Sequence, residues 1–470
     1  MLTDTFLLFR QEIMLALLLF FLVLYKLGRA RPAAHLLPIM NWLLLLNLVV
    51  GLLFYDWQGV LFNGMYRTGE LIVLEKNILN LAVWLISMQA YGWLRQHRHA
   101  AEVYLLLLTS LLGMFLMLSS GHMLILYVGL EMATIPLAAA VNFALSSKRS
   151  SEAAMKMIVS SAFASALLLL GISFLYGITG SLWLAEIPGM LHATPVVLFT
   201  FLLVFSGFAF KVSAVPFHLW TADVYEGAPV AVTAYLSVVS KAAMVFVLVT
   251  LLYSVFAPLE KTSHAVLVVL SLLTIITGNL FALRQQNIKR FLAFSSIAQI
   301  GFILVGISGY SQTANASVIF FLLVYVFSNL AAFGVVGWIS TQTGKETIAD
   351  YANLYRHNKT LSWILAIAVF SLAGVPPTAG FFGKFFLLTA GASKGDYLFI
   401  SVAALNMVVS FYYYLRIIKA IFMEPGETGI AALSLPFWPQ LSLWICTGGM
   451  LASGLLGVIY QYIYSISPSH

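Results

Sequence analysis

Lysines at positions 156, 211, 241 and 384 stand inside or at the edge of stretches too apolar to favour a charge, and Glu131 lies as deep within ILYVGLEMATIPL. An ionised side chain near the centre of a bilayer costs roughly 2.5–3.5 kcal/mol on insertion scales. Groups kept there face a protein interior or a water-filled cavity and commonly serve an ion or proton path. Lys211 is flanked by GFAF and VSAV and meets no charged neighbour in sequence until Asp223. Desolvation makes an ammonium release its proton more readily, and a facing carboxylate makes it hold on. A Glu131–Lys211 pair that forms and breaks is therefore expected to load and unload a proton. Lys241, in AYLSVVSKAAMVFVLV, follows across a helix connection. His218 lies just after Lys211, and histidine titrates near physiological pH; a relay role and a purely hydrogen-bonded role both remain open for it. Lys156 follows Glu152 by four residues, a favourable helical pairing, so a structural ion pair and a place in the path are both open. Asp223 and Glu226, in TADVYEGAP, read as residues that cap or clamp a loop.

The elements that must carry these groups are membrane helices. Of 470 residues, 61% are hydrophobic and 9% charged, against roughly 25% charged in a soluble domain. Runs such as LALLLFFLVLY and LLLLTSLLGMFLML recur. With about 20 apolar residues needed to cross the hydrocarbon, about fourteen such segments are expected, beginning near residues 12, 34, 71, 101, 121, 153, 195, 230, 264, 288, 314, 360, 396 and 438. The gaps near 55–70 and 341–359 are too short for a folded domain. The fold class is an all-α polytopic membrane protein. A single cysteine, Cys446, rules out an internal disulfide and an all-thiolate iron–sulfur cluster. The nine histidines show no paired metal spacing, and neither a Walker loop nor GxGxxG occurs. No cofactor is expected in this chain, and any redox chemistry falls to other subunits.

The net charge of +7 is not read as a nucleic-acid signal, because its distribution follows the membrane. Lys26, Arg29, Arg31, Arg95, Arg98, Lys148, Arg149, Arg284, Lys289, Arg290, Lys345, Arg356, Lys359, Arg416 and Lys419 fall on one side of the expected spans. Arg10, Arg67, Lys76, Lys261 and Lys394 fall on the other. A bias of roughly threefold is what the positive-inside rule produces. It places both termini outside the cytoplasm, on the periplasmic side of a bacterial inner membrane.

Two spans are interrupted. LLVFSGFAFKVSAVPFHLWTADVYEGAP carries Pro216 soon after Lys211, and FSLAGVPPTAGFFGKFFLL carries Pro376 and Pro377 before Lys384. Proline removes a backbone hydrogen bond, and the freed carbonyls need partners inside the protein. Two Val-Pro breaks with lysines on opposite sides point to two related halves in inverted orientation, as in many transporters.

PFHLWTADVYEGAPVAVTAYLSVVSKAA, NIKRFLAFSSIAQIGFIL, LAGVPPTAGFFGKFFLL and SSEAAMKMIVSSAFASALLLLGISFLYGITGS resemble, in order and spacing, the proton-pumping antiporter-like subunits of respiratory complex I, over roughly residues 100 to 420. Fourteen spans and a short C-terminus favour the kind that lacks a long lateral helix. The resemblance implies two inverted five-helix repeats, helices 4–8 and 9–13, with broken helices 7 and 12. It divides the chain into 1–100 (helices 1–3), 101–257 (first repeat), 258–423 (second repeat) and 424–470 (helix 14). It also implies a Glu131–Lys211 pair, a central lysine at Lys241 and an exit lysine at Lys384. Other membrane and redox subunits become the expected partners, with NADH, FMN, iron–sulfur clusters and quinone in them and none of these in this chain. Two departures matter: Ala222 stands where the family usually has proline, and Phe294 and Gln299 stand where the tenth helix often has tyrosine and histidine. A relay through that helix then needs water or a neighbouring side chain. A cation/proton antiporter subunit, a membrane-bound hydrogenase subunit and a plain membrane anchor are the rival readings.

Overall fold

The computed structural model describes residues 2–28, 33–53, 55–145, 147–425 and 430–468; the side chains of residues 2–4 and Ala33 fall outside that description, as do Arg29 and Arg31. The molecule is an all-helical bundle. Among the described residues the only paired strands are a short hairpin, Gly59–Leu61 with Tyr66–Thr68. Among the described residues eleven helices are long and apolar enough to cross a membrane, or twelve if Phe437–Leu455 and the bent continuation Val458–Ile466 form one span. The sequence count of fourteen would require two more. Arg10–Leu27 has the length but carries Arg10, Glu12 and Lys26. Lys359–Ala373 and Ala379–Ala392 are short pieces of a span broken at Pro376 and Pro377.

Local chemistry fixes the two longest helices in the same way. In Lys148–Thr179 the Ser147 side chain accepts from Ser150 N–H, and Gly180 ends the helix at φ 68°. In Gln312–Thr343, Ser311 accepts from Ala314 N–H and Gly344 ends it at φ 69°. Serine at the N-cap satisfies an orphan donor, and a left-handed glycine closes the C-terminus without a Cβ penalty. The centre of the bundle is formed by Ile288–Ile307 and Gln312–Thr343, whose apolar 18-residue stretches have 94% and 89% of their residues buried, against 28% in that of Tyr397–Phe422. With lipid tails outside, a helix needs no polar outer face, so these differences reflect position in the bundle rather than polarity.

Two basic residues expected near span ends are placed differently. Lys76 and Arg10 are buried, not lodged in a connecting loop. Lys76 lies within Glu70–Gln89 and pairs with Glu12 across helices at 2.5 Å; the apolar run on both sides of it carries it into the bundle.

Candidate functional site

Each broken span presents a lysine from a helix beside its break. Pro195–Val212 ends at Ser213, held at φ 67°, and the chain resumes as a helix at Leu219–Gly227. Lys211, in the last turn, is buried, and its ammonium donates to Ser161 Oγ at 2.6 Å and Thr134 Oγ1 at 3.2 Å. Glu131 lies one turn before Thr134 on Met123–Val141. It does not close an ion pair with Lys211: no carboxylate oxygen lies within 4.0 Å of that ammonium among the described residues. Glu131 Oε1 is buried without a protein hydrogen-bond partner, although the carboxylate is near enough to act on Lys211 electrostatically. The structure thus brings the two residues into one neighbourhood, with the ammonium taken up by hydroxyls and Glu131 Oε1 unengaged.

Lys241 opens the helix Lys241–Thr250, directly after a π-helical turn at Leu236–Ser240 within the continuous span Val230–Val255. π-turns are uncommon and concentrate at functional positions. Its ammonium donates to Ser296 Oγ at 2.6 Å and sits 5.5 Å from the centre of the Tyr225 ring. One turn earlier, Ser237 Oγ bonds Tyr325 OH at 3.1 Å and accepts from Asn329 Nδ2 at 2.7 Å. The side chain is 1% exposed, so it does not snorkel to the surface.

Lys384 shows why a lysine belongs beside a double proline. In an unbroken helix the carbonyls of Leu372 and Ala373 would accept from the N–H of residues 376 and 377, and both are proline. Lys384, fully buried, donates to those two carbonyls at 2.8 and 3.3 Å. Its ammonium also lies 4.8 Å from the centre of the Phe302 ring. Gln299 Nε2 donates to the same Leu372 carbonyl at 2.9 Å and to Tyr414 OH at 3.1 Å, and Tyr414 OH bonds Ser295. Ser295 and Ser296 are adjacent on one helix. Polar groups therefore run from Lys241 through Ser296, Ser295, Tyr414 and Gln299 to Lys384. Gln299, flagged in sequence as a missing histidine, is a member of that chain, and Tyr414 is a member the sequence reading missed. Among the described residues no hydrogen bond joins the groups around Lys211 to those around Lys241.

His218 is buried beside the first break, with Nδ1 unpartnered among the described residues. Lys156 lies elsewhere. Its side chain is 43% exposed and its ammonium bonds Glu152 and Asp223, each at 2.7 Å. Asp223 and Glu226 also receive Arg290 at 2.7 and 2.8 Å. Lys156 is thus part of a surface ionic cluster that clamps Leu219–Gly227, not a deep charge, because it lies on the outer face of a helix whose inner face buries Ser150, Ala153 and Met157. A cleft of about 360 Å³, lined by Arg149, Glu226, Lys289 and Glu346 among others, opens beside the clamp.

The bundle is that of a polytopic membrane protein with broken helices presenting buried lysines, and residues 120–410 match the family described as NADH:quinone oxidoreductase/Mrp antiporter, TM. The chain belongs to that family. It is similar to NADH-quinone oxidoreductase subunit N of Azobacteroides pseudotrichonymphae genomovar. CFP2, 46% identical over 88% of this chain and 87% of the relative. The same subunit of Phocaeicola vulgatus is 41% identical over 96% of both. Among solved structures, a chain of respiratory complex I from Thermus thermophilus with bound aureothin is 30% identical, with a TM-score of 0.81 over 96% of this chain and 98% of that one. Within the antiporter-like subunits, the likeness is to subunit N.

Proposed function

We propose that the chain is a membrane subunit of an NADH:quinone oxidoreductase that translocates protons through Glu131, Lys211, Lys241 and Lys384. The observation that carries this reading is the state of the three buried lysines. Each ammonium is solvated by hydroxyls or carbonyls, and none has a carboxylate within 4.0 Å among the described residues. A lysine locked in a tight ion pair would keep its proton, whereas one held by neutral acceptors can give it up when its surroundings change. Lys211 takes a proton from the cytoplasmic side under the influence of Glu131. Lys241 passes it along the membrane plane, the Ser296–Tyr414–Gln299 groups and intervening water carry it on, and Lys384 releases it to the periplasm. His218 is placed to assist near the first break.

The two-repeat division at 101–257 and 258–423 is supported by the matched capping of the two 32-residue helices and by the pair of broken spans. Close crossings repeat as well. A Cβ on Gly113 would meet Ala133 N at 2.5 Å, and one on Gly278 would meet Ala298 N at 2.6 Å. Residues 1–100 and 424–470 flank the repeats. Partner membrane and redox subunits, in a bacterial inner membrane, supply NADH oxidation and quinone reduction as the energy source.

Replacing Lys211 by Ala in the reconstituted complex tests the proposal. Assembly should persist and proton pumping should be lost; pumping at the wild-type proton-to-electron ratio overturns it. Co-purification of the chain with small antiporter subunits and no flavin or iron would instead assign it to a cation/proton antiporter.

A further inference from the structure

The central lysines leave unused a second set of buried polar groups, in the N-terminal helices. Along Glu70–Gln89 the residues Lys76, Asn80, Trp84 and Ser87 recur every three or four positions and, with Asn77 beside Lys76, share one helical stripe. Each meets a polar partner or carries an unpaired atom. Lys76 bonds Glu12 at 2.5 Å and Tyr66 OH at 3.0 Å. Asn77 Oδ1 accepts from Gln11 at 2.7 Å, Asn80 Oδ1 accepts from Asn47 at 2.9 Å, and Ser87 bonds Asn41 at 2.6 Å and Tyr104 OH at 2.7 Å. From Lys76 to Ser87 the stripe rises about 16 Å at 1.5 Å per residue, over half of the roughly 30 Å hydrocarbon core.

Interhelical amide bonds alone could be membrane glue, but glue has no need of the atoms left over. Asn41 Nδ2, Asn47 Oδ1, Asn80 Nδ2, Trp84 Nε1 and Glu12 Oε2 are buried and make no protein hydrogen bond among the described residues. Exchanging amide O and N would not remove the deficit, since each of the three asparagines would still keep one end unpaired. Asn41, Asn47, Asn80 and Glu12 are each 0–1% exposed. Buried polar atoms are almost always satisfied, by protein or by ordered water, and a water so placed needs two or more polar partners. Gly51 keeps space for this row: a Cβ there would stand 2.0 Å from Asn77 Oδ1 and 2.3 Å from Gln11 Nε2. The stripe also runs between two openings. Glu70 and Glu75 line a cleft of about 730 Å³ at one end of the helix, and Ile86 and Gln89 line the cleft beside the Asp223–Arg290 clamp at the other.

We infer that the N-terminal helices enclose a second proton path, a water file along the Asn41–Asn47–Asn80 row that exchanges protons with the Glu12–Lys76 pair. A proton arriving through the file is taken by the Glu12 carboxylate, leaving a neutral acid beside the Lys76 ammonium, and its release restores the pair. Arg10, Tyr66 and Glu75 are the other ionisable groups packed around that pair. The water is expected independently of the proposed function; the pumping readout rests on it.

In a density map of the whole purified complex sharp enough to show water, molecules bonded to Asn41, Asn47 and Asn80 are expected. Dry packing at all three overturns the inference. The double variant Glu12→Gln/Lys76→Met, which removes both charges together, should lower the proton-to-electron ratio of the reconstituted complex while uncoupled NADH oxidation continues. A wild-type ratio in this variant overturns the path. If Lys241→Met in parallel abolishes pumping, the central reading stands even then; if neither variant changes the ratio, the central reading fails as well. Should the double variant not assemble, the water positions in the unaltered complex decide.

Discussion

At the level of single side chains, the central question is what can carry a proton between Lys241 and Lys384 on a helix with glutamine where histidine would titrate. An amide neither gains nor loses a proton readily, so Gln299 serves by orienting neighbours. Its Nε2 holds Leu372 C=O and Tyr414 OH in place, and its buried Oε1 has no protein partner among the described residues and is open to a bridging water. Gln299→Leu should therefore leave Tyr414 OH short of a partner, cost about 1–3 kcal/mol of stability, and lower the proton-to-electron ratio of an assembled complex. Gln299→His, which can donate to the same acceptors, should keep the ratio; a collapse of assembly in the His variant would mean that the glutamine is there for packing alone. Lys384→Met removes a donor to two carbonyls that the prolines leave unpaired, and only Leu372 C=O then keeps another, Gln299, among the described residues. The variant should cost more stability than Lys241→Met, whose single acceptor, Ser296, already donates to Ala293 C=O and so stays partnered. Equal thermal shifts for the two variants would contradict that account.

At the level of helices, the breaks depend on close backbone contact as much as on proline. A Cβ on Gly380 would stand 1.8 Å from Ser371 O, between the two halves of the broken span. Gly380→Ala is expected to force Lys359–Ala373 and Ala379–Ala392 apart, with an overpacking cost of about 1–3 kcal/mol, and to draw Lys384 off its carbonyls. A thermal midpoint and proton-to-electron ratio equal to wild type would refute it. Both broken spans were legible in the sequence because proline writes a break into the chain. Lys211, Lys241 and Lys384 were legible because a charge inside an apolar run has few readings. Lys76 was not: Glu75 beside it and Arg67 and Glu70 just before made the run look like a helix end, and its partner Glu12 is 64 residues away. The unformed Glu131–Lys211 contact was equally out of reach, since spacing along the chain cannot show that Thr134 and Ser161 take up the ammonium. Lys156 misled in the other direction, because the apolar length of its helix does not show that it lies on the face turned away from the buried Ala153 and Met157.

At the level of the whole molecule, charge ties the two expected repeats at the cluster around Arg290. Arg290, on the helix Ile288–Ile307 of the second, reaches Asp223 and Glu226 on Leu219–Gly227 of the first, and Lys156 and Arg149 complete the cluster. Leu219–Gly227 is the outer half of the span whose inner half carries Lys211, so the clamp sets where that half rests relative to Lys241. Exposed ion pairs contribute little, but Arg290 is only 29% exposed and spans two carboxylates, an arrangement in which charge-assisted bonds are worth about 1.5–3 kcal/mol. If the clamp couples the halves, Arg290→Ala and Asp223→Ala should be non-additive. A double-mutant cycle on thermal stability should return more than about 0.5 kcal/mol of interaction, and each single variant should slow pumping while sparing assembly. Purely additive effects would mean that the cluster is ordinary surface charge. In that case the position of Leu219–Gly227 would have to be set by packing alone, chiefly by Trp220, which stacks on Phe210 and donates to its carbonyl at 3.2 Å, and Trp220→Ala would then carry the loss expected of Arg290→Ala.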